Sequence, residues 1–340
     1  LFRSALLDLT EDTSKVYRFI GNVKADYTLP FFKDITASVN FGLDYSKGEG
    51  DKITDRRMPT STPGFDGAKT SYTNKAINKL FDAYVNYMKE IKETHSIGLM
   101  LGHSYQSFEF DDNSTDYSYF INPGDNKEVP NINKSRNVLM SFFGRANYSY
   151  KERYLLTATL RADASSKLNP DDRWGYFPSF SAAWRLEQED FMKNVSWVDA
   201  LKVRASWGEN GNINNIGLYD TYSTYGSGST TVLGGVSAPI LYEGRIGNPN
   251  LTWETTATTN FGIDLSLGKG LFSLTADVYN RLTKGILIRA NDIMNETGLS
   301  SSQIPARNVG KVRNKGIELV LSHHKNFGDF EYNVAVNGTY

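Results

Sequence analysis

Residues 136–165 read "RNVLMSFFGRANYSYKERYLLTATLRADAS", two runs of alternating side chains separated by a charged break at 151–153. In the first run, every second residue from Val138 to Tyr150 is apolar, small or aromatic, and the residues between them are mostly polar. The second run, from Tyr154 to Ala162, alternates with threonines and charged residues. A period of two places alternate side chains on opposite faces of a β-strand. The stretch therefore predicts two long strands joined by a tight turn, with an apolar face that ends in tyrosines.

The same period recurs along most of the chain and predicts about twelve strands. The predicted strands are 19–29, 35–45, 75–88, 95–107, 137–150, 153–164, 176–185, 200–208, 252–265, 271–287, 308–322 and 330–340. Many of them reach the roughly 9–11 residues that a tilted membrane-spanning strand needs. Helical periodicity is confined to 187–200, where we predict one short helix.

The connections alternate between short and long. Short ones are predicted at 30–34, 89–94, 151–153, 266–270 and 323–329, and long ones at 46–74, 108–136, 209–251 and 288–307. Tight turns at one end and long loops at the other are typical of a transmembrane β-barrel. A half-buried antiparallel sheet in water would also alternate. Strand length, loop asymmetry and the terminal tyrosines together favour a barrel in lipid.

A bilayer explains both faces of these strands. Lipid satisfies no backbone N–H or C=O group, so only helices and closed barrels cross it. Side chains that point outward are then apolar, and near the headgroups they are aromatic, which accounts for the 20 tyrosines and 19 phenylalanines in this chain. We expect outward positions at Phe142, Tyr148, Leu156, Leu160, Phe261, Ile263, Leu319 and Leu321. We expect inward positions at Arg145, Arg161, Asp163, Asp264 and Glu318.

Composition argues against several other classes of protein. A net charge of -1 gives no basic surface for nucleic acid, and the absence of cysteine excludes disulfides and thiolate metal sites. The four histidines include no i, i+4 pair, the acidic segments 109–116 and 169–175 fit no calcium-loop spacing, and 226–235 lacks the Lys-Ser/Thr of a phosphate loop. We therefore predict no catalytic residue, metal or cofactor, and we expect 226–235 to be a flexible external loop.

Four segments carry a family resemblance. They are "FFGRANYSYKERYLLTATLRADASSKLNPDDRWGYFPSFSAAWRLEQEDFMK", "LKVRASWGENGN", "LTWETTATTNFGIDLSLGKGLFSLTADVYNRLTKGIL" and "NVGKVRNKGIELVL". In this order they resemble the barrel of SusC/RagA-like TonB-dependent transporters. The resemblance implies a Gram-negative outer-membrane protein with a plugged barrel of about 22 strands. It also implies import of oligosaccharides or peptides, a SusD-like surface lipoprotein over the external mouth, and energy from the TonB complex.

The chain departs from that pattern in its extent. No plug domain or TonB box precedes the first predicted strand, and Tyr340 falls inside a strand. We expect residues 1–340 to be one segment of the barrel, with the plug domain and both barrel ends not included.

Two aromatic groups in predicted long loops are candidates for contact with a ligand or with the lid lipoprotein. The first is Tyr117, Tyr119 and Phe120, and the second is Tyr219, Tyr222 and Tyr225. Exposed rings at the mouth could stack on sugars or pack against peptide side chains, but they could equally pack loop on loop. An outer-membrane barrel enzyme or a structural or adhesive barrel are the alternative functions, although no catalytic cluster or loop repeat supports them. The substrate stays open.

Overall fold

A computed structural model describes residues 8–58, 67–118, 128–289 and 303–340. Within these ranges no helix is long and apolar enough to cross a membrane. The first strands are β1 (Thr10–Leu29), β2 (Phe32–Thr54), β3 (Ala68–Ile91), β4 (His95–Ser118), β5 (Glu128–Tyr150), β6 (Tyr154–Ser165) and β7 (Trp174–Arg185). The others are β8 (Val198–Asn212), β9 (Thr224–Leu233), β10 (Val236–Arg245), β11 (Glu254–Leu267), β12 (Phe272–Arg289), β13 (Ala306–Phe327) and β14 (Phe330–Thr339).

Twelve of the described strands form one antiparallel sheet in the order β1-β2-β3-β4-β5-β6-β7-β8-β11-β12-β13-β14. This order confirms the predicted all-β, antiparallel fold class and the twelve predicted strands. Each strand pairs with the next one in sequence, except that β8 pairs directly with β11. In such an order alternate connections lie at the same end of the strands. The predicted short connections therefore share one end, which we call the short-connection end, and the predicted long ones share the other, the long-connection end. Connection 186–197 between β7 and β8 lies at the short-connection end, and connection 166–173 between β6 and β7 lies at the long-connection end.

Two predicted loops are shorter than we expected. β2 continues to Thr54 and β3 begins at Ala68, inside the predicted loop 46–74. β4 likewise continues to Ser118, and β5 begins at Glu128. The polar side chains of these extensions hid the strands, because alternation is visible only where one face is apolar.

The prediction of a flexible loop at 226–235 is wrong. β9 and β10 form a two-stranded hairpin within the described residues, with Leu233 paired to Val236. Gly234 and Gly235 make the turn at φ 60° and 85°. Both angles lie in the left-handed region that a two-residue hairpin turn requires and that glycine adopts without strain.

The predicted helix at 187–200 is also wrong. The segment forms two 3₁₀ turns, Leu186–Gln188 and Asp190–Met192, and β8 begins at Val198. Neither turn has a side-chain cap at its start. Glu187 accepts a hydrogen bond from the Leu201 backbone N–H at 3.2 Å, which holds the chain at the start of β8. An uncapped helix of this length is not stable on its own.

The chain divides into two compact units. The first comprises Leu1–Ala25, Val39–Asp82 and Ser104–Leu139. Its described part contains a polar ladder across four strands. Asn22 donates to Asn40 at 2.7 Å, Asn40 donates to Asp82 at 3.2 Å, and Ser104 donates to Asp82 at 2.6 Å. Next to Asn40 and Asp82 in sequence, the rings of Phe41 and Phe81 contact each other with centroids 5.0 Å apart and planes tilted by 42°.

The second unit comprises Asp26–Ser38, Ala83–His103 and Met140–Tyr340. Its strand register separates two faces, because residues directly opposite each other on neighbouring strands share a face. The apolar face carries Leu156, Leu160, Phe261, Ile263, Leu319 and Leu321, which pair with Ala182, Pro178, Ala205, Val203, Ala276 and Leu274. The polar face carries Asp163, Asp264 and Glu318, which pair with Gly175, Lys202 and Asp277. The predicted alternation is confirmed in these strands.

Aromatic side chains bound the apolar face of β7 at both ends. Near the short connection, Trp184 stacks on Tyr154 with centroids 6.2 Å apart, and both donate to Glu189, at 2.9 Å and 2.7 Å. Near the long connection, Trp174 stacks on Phe142 at 6.1 Å. Ten residues separate the two tryptophans, or about 33 Å of strand at about 3.3 Å per residue. At a tilt of about 40° this is about 25 Å of height, which matches the apolar band of a membrane barrel.

Candidate functional site

The most deeply buried apolar side chains of the described residues lie at the long-connection end of the second unit. We call segments 166–173, 213–223, 246–253 and 303–308 the loop cluster. Its core and the adjoining strand ends bury Ala164, Leu168, Phe177, Ile213, Ile216, Leu251, Ile304 and Ala306. Burial of this extent gives these connections a fixed shape.

Hydrogen bonds join the segments of the loop cluster to each other. Asn169 donates to the Pro249 carbonyl at 2.9 Å, and Asn248 donates to the Ala306 carbonyl at 2.8 Å. Asn308 donates to the carbonyls of Thr252 and Gly285 at 3.0 Å and 2.8 Å. Asparagine suits this role because one amide group both donates and accepts, and so satisfies backbone groups that a sheet would otherwise pair.

Glu254 is the buried carboxylate at the base of the cluster, and it is 5% exposed. It accepts hydrogen bonds from Asn212 Nδ2 at 2.9 Å and from the Leu287 backbone N–H at 2.8 Å. Asn215 Nδ2 donates to both carboxylate oxygens at 3.4 Å. Glu254 thus fastens β8, β11 and β12 together where the long connections leave the sheet.

A second carboxylate organises the segment that carries the candidate tyrosines. Asp220 is buried, pairs with Arg245 at 2.8 Å and accepts from the Gly217 backbone N–H at 2.7 Å. Arg245 also donates to the Tyr219 carbonyl at 2.9 Å. Lys167 donates to the Ile213 carbonyl at 3.3 Å, and burial lowers the pKa of its amine, opposed by the charge of Asp220. These contacts hold segment 213–223 in one conformation.

Aromatic packing connects the cluster to the sheet. Trp253 donates from Nε1 to the Arg173 carbonyl at 3.0 Å and meets Phe177 edge-on, with ring centroids 5.4 Å apart. A Cβ on Gly211 would lie 2.1 Å from the Phe177 ring, so only glycine leaves room for this pair. Trp253 is therefore a packing residue.

Tyr219, Tyr222 and Tyr225 stand on this fixed base with their rings exposed by 52%, 56% and 70%. Tyr219 and Tyr222 lie in segment 213–223, whereas Tyr225 lies in β9. Their rings make no ring–ring contact with any residue in the described ranges. The structure therefore leaves all three candidate side chains exposed, on segment 213–223 and at the start of β9.

The other predicted group is described only in part. Tyr117 lies in β4 and not in a loop, and its ring centroid is 6.0 Å from Lys69 Nζ. The prediction that it sits in a long loop is wrong, because the polar strand β4 extends to Ser118. Tyr119 and Phe120 lie outside the described residues.

The polar face of the second unit carries a charge network across three strands. Arg204 donates to Asp264 at 3.1 Å and to Asp277 at 2.7 Å, and Lys202 pairs with Asp264 at 2.9 Å. Gly262 lies on the middle strand, β11, and a Cβ there would be 2.6 Å from Arg204 Cζ.

Further along the same face, the predicted inward arginines also find partners. Arg145 donates to Thr159 at 3.3 Å, and Arg161 pairs with Asp163 at 2.7 Å and donates to Ser141 at 2.8 Å. Among the described residues, no group of three or more His, Asp or Glu side chains is arranged to hold a metal ion.

Sequence reasoning missed Glu254, Asp220 and Arg204 as organising residues. Each acts through partners far away in the chain, such as Asp277, which is 73 residues from Arg204. The one local signal was a carboxylate near the start of a predicted strand, at the third position of 252–265.

Comparisons with a family model and with individual proteins point to the same family. The model of the family described as "TonB dependent receptor-like, beta-barrel" matches residues 3–340. The chain is 32% identical to the TonB-dependent receptor SusC of Bacteroides thetaiotaomicron, over 98% of this chain and 34% of that protein. It is 30% identical to the TonB-dependent receptor P26 of Formosa agariphila, over 93% of this chain and 32% of that protein. The chain thus spans about a third of the length of these relatives.

Solved structures share the fold. The RagAB peptide transporter matches with a TM-score of 0.86 at 23% identity, over 98% of this chain and 37% of the matched chain. The closed-closed state of the RagAB peptide importer matches with a TM-score of 0.84 at 22% identity, over 98% of this chain and 37% of the matched chain.

Proposed function

Because this chain belongs to the TonB dependent receptor-like β-barrel family of outer-membrane proteins, we propose that it forms part of the wall of a TonB-energised importer of nutrient oligomers. The observation that carries this proposal is the twelve-strand, up-and-down sheet whose two faces differ in polarity. An apolar face suits lipid, and the opposite face, with its charge network, suits a water-filled or plugged interior. The family is one of transporters and receptors, so a barrel enzyme or an adhesive barrel is the weaker alternative.

In this proposal residues 1–340 are a barrel segment, and the plug domain and remaining strands belong to the complete protein. This part of the proposal is supported by the lengths of the matched proteins, because residues 1–340 align with only about a third of each. A SusD-like surface lipoprotein lies over the external mouth, and the TonB complex acts from the periplasmic side. The long-connection end is external, because barrels of this kind have longer extracellular loops. The cargo is an oligosaccharide or a peptide.

The loop cluster would present Tyr219, Tyr222 and Tyr225 to the cargo or to the lid lipoprotein. A fixed base favours binding, because rings that are already placed lose little conformational entropy when they meet a ligand. Tyrosine suits both partners, since its face stacks and its hydroxyl forms a hydrogen bond.

Uptake by cells that carry the complete protein tests the importer. A labelled oligosaccharide library and a labelled peptide library are supplied with the TonB complex intact or deleted, and the cargo class that accumulates only with TonB is identified. Uptake of neither class, or uptake that does not depend on TonB, contradicts the importer.

The tyrosines are tested in the same cells. Replacing Tyr219, Tyr222 and Tyr225 together by alanine should lower uptake by about ten-fold or more, since a ring buried at an interface contributes about 1–3 kcal/mol. The matched control replaces three exposed tyrosines on strands, Tyr27, Tyr148 and Tyr176. An equal loss in both variants would show that the tyrosines act on stability and not on cargo or lid binding.

A further inference from the structure

A shallow groove crosses the apolar face of β5, β6, β7, β8 and β11 in the second unit. Its volume is about 650 Å³, and its floor is made of four alanines, Ala146, Ala158, Ala182 and Ala205. We call it the alanine groove. Each of the five strands is hydrogen-bonded to a neighbour on both edges. The groove is therefore a feature of the continuous wall and not of a sheet edge.

The strand register explains why the groove runs across the strands. Ala182 on β7 lies directly opposite Ala205 on β8. Side-chain hydrogen bonds on either side place Ala146 on β5 opposite Ala158 on β6. This second pair lies one row of outward side chains further from the short-connection end, because Ala158 is opposite Phe180. The floor thus spans four strands, or about 14 Å at about 4.8 Å per strand.

Large side chains bound this floor. One row further from the short-connection end than Ala182, Phe180 and Trp207 stack with ring centroids 6.2 Å apart. The other large side chains around the alanine pair are Leu156 and Phe261 in its own row, and Trp184 and Val203 one row nearer that end. Successive rows on one face are about 6.6 Å apart, since each row is two residues along the strand. The groove is therefore one row wide.

This width decides which kind of partner fits. A helix with its side chains is about 10–12 Å across, which is too wide for a single row. An added strand would leave backbone groups unpaired in lipid. A hydrocarbon chain is narrow and flexible, and the lining of the groove is almost wholly apolar. The alanine groove therefore fits one acyl chain.

The height of the groove assigns it to one leaflet. Trp184 marks the short-connection boundary of the apolar band on β7. Ala182 and Phe180 lie two and four residues from it, about 5 Å and 10 Å in height at a tilt of about 40°. In a band about 25 Å tall, both lie in the half next to the short-connection end. That end is periplasmic in the proposed function, so the groove meets the acyl chains of the inner leaflet.

An aromatic row lies at the headgroup level directly below the groove. Tyr150 stacks on Tyr154, and Tyr154 stacks on Trp184, each with ring centroids 6.2 Å apart. Such rings occupy the boundary between headgroups and acyl chains. A phospholipid whose headgroup lies at this row can therefore place the upper part of its acyl chain in the groove.

We propose that the alanine groove binds one acyl chain of an inner-leaflet phospholipid and retains it more tightly than the rest of the wall retains lipid. In the groove the chain contacts the alanine floor and both walls, whereas on a flat strand surface it has contacts on one side only. The site recognises the chain and not the headgroup. The inference rests on the outer-membrane location of the family and, for the leaflet, on the proposed function. It does not depend on which cargo is imported.

The test measures lipid binding to the purified complete protein in a nonionic detergent with a rigid steroid tail, which is too wide for the groove. The probe is phosphatidylglycerol with brominated acyl chains, which quench tryptophan fluorescence on contact. The wild type should show a saturable component of quenching. Trp207→Phe should reduce the amplitude of this component, whereas Trp174→Phe, at the other end of β7, should leave it unchanged.

Filling the groove should weaken this binding. The A182L/A205L variant should raise the half-saturating lipid concentration about ten-fold or more, because each methylene group that loses its apolar contact costs a factor of about four. The matched control is A162L/A276L, which adds the same volume on the apolar face outside the groove. Its half-saturating concentration should stay within about two-fold of the wild type. If A182L/A205L does not fold, A205L replaces it with A276L as its control.

Competition shows which part of the lipid is recognised. Palmitate should displace the brominated lipid, and glycerophosphoglycerol, which has no acyl chain, should not. Displacement by glycerophosphoglycerol, quenching that does not saturate in the wild type, or equal binding by the two double variants would overturn the proposal. A change of oligomeric state on sedimentation in A182L/A205L but not in A162L/A276L would also overturn it, since the groove would then contact a second copy. None of these measurements requires cargo uptake, so failure of the importer would be seen separately.

Discussion

Arg204 on β8 and Asp277 on β12 are joined by a 2.7 Å hydrogen bond, although β11 lies between their strands. The guanidinium passes over Gly262, which pairs with both residues in the sheet. Asp264 accepts from the same guanidinium at 3.1 Å. One arginine therefore links three strands on the polar face, and it does so because the middle strand has no side chain at that position.

The first prediction concerns this crossing. Replacing Gly262 by alanine should lower the free energy of unfolding by about 1–3 kcal/mol, because the displaced guanidinium no longer donates to the partly buried Asp277 carboxylate. The control is Gly98→Ala on the interior strand β4, where a Cβ meets only the Asn147 side chain, at an ordinary contact distance of 3.7 Å, and where the change should stay within about 0.5 kcal/mol. Urea unfolding of the complete protein in lipid vesicles measures both. Equal effects of the two substitutions would show that the crossing does not stabilise the sheet.

The second prediction concerns the apolar face. Leu160 lies six residues from Tyr154, about 15 Å above the short-connection end at a tilt of about 40°, near the middle of the band. Replacing Leu160 by arginine should cost about 2–4 kcal/mol. Replacing Thr157 by arginine should cost less than half as much, because Thr157 lies on the polar face and donates to Asn147. Similar costs in vesicle unfolding would mean that both faces contact the same environment.

The third prediction concerns the base of the loop cluster. Replacing Glu254 by alanine should lower stability by about 1–3 kcal/mol, because it leaves the Leu287 N–H and the Asn212 amide without their acceptor. It should also speed proteolysis within 213–223 and 246–253. The control is Glu209→Ala on the preceding strand, a carboxylate with no hydrogen-bond partner in the described ranges. If the Glu254 variant is cleaved at the same rate as the wild type, Glu254 does not stabilise the loop cluster.

The fourth prediction is a pH dependence. Hydrogen bonds from Tyr154 and Trp184 hold the pKa of Glu189 below its ordinary value, and Arg153 adds to the shift. A carboxylate whose pKa is depressed by folding contributes stability above its unfolded pKa, and that contribution disappears as pH falls through the folded value. Stability should therefore decrease below about pH 4.3, the ordinary pKa of glutamate, and Glu189→Gln should flatten part of this decrease. Unfolding midpoints from pH 7 to pH 3 give the comparison, and superimposable curves for the two proteins would contradict it.

The sequence predicts the strands of this fold well where one face is apolar. From 154 to 162 a period of two sufficed, because each outward position needed an apolar side chain. The extension of β4 to Ser118 was not predictable, since both faces there carry polar residues. The hairpin at 224–245 was missed because Gly-Gly marks a flexible loop as readily as a tight turn. Tyr219 and Tyr222 were identified as a group, but their buried support, Asp220 with Arg245, depends on the folded backbone.

We infer that alternate residues of each strand face lipid and water, and strand β7 allows this alternation to be measured. Residues 1–340 contain no cysteine, so single cysteines can be placed along 175–183 of the complete protein in vesicles once any cysteine outside these residues has been replaced by serine. Each cysteine is then exposed to a water-soluble maleimide and, in parallel, labelled with a fluorophore that lipid-borne nitroxides quench. Positions 176, 178, 180 and 182 should be quenched and resist the maleimide, whereas 175, 177, 179, 181 and 183 should escape quenching. A profile without this period of two, or one with the two sets exchanged, would contradict the account.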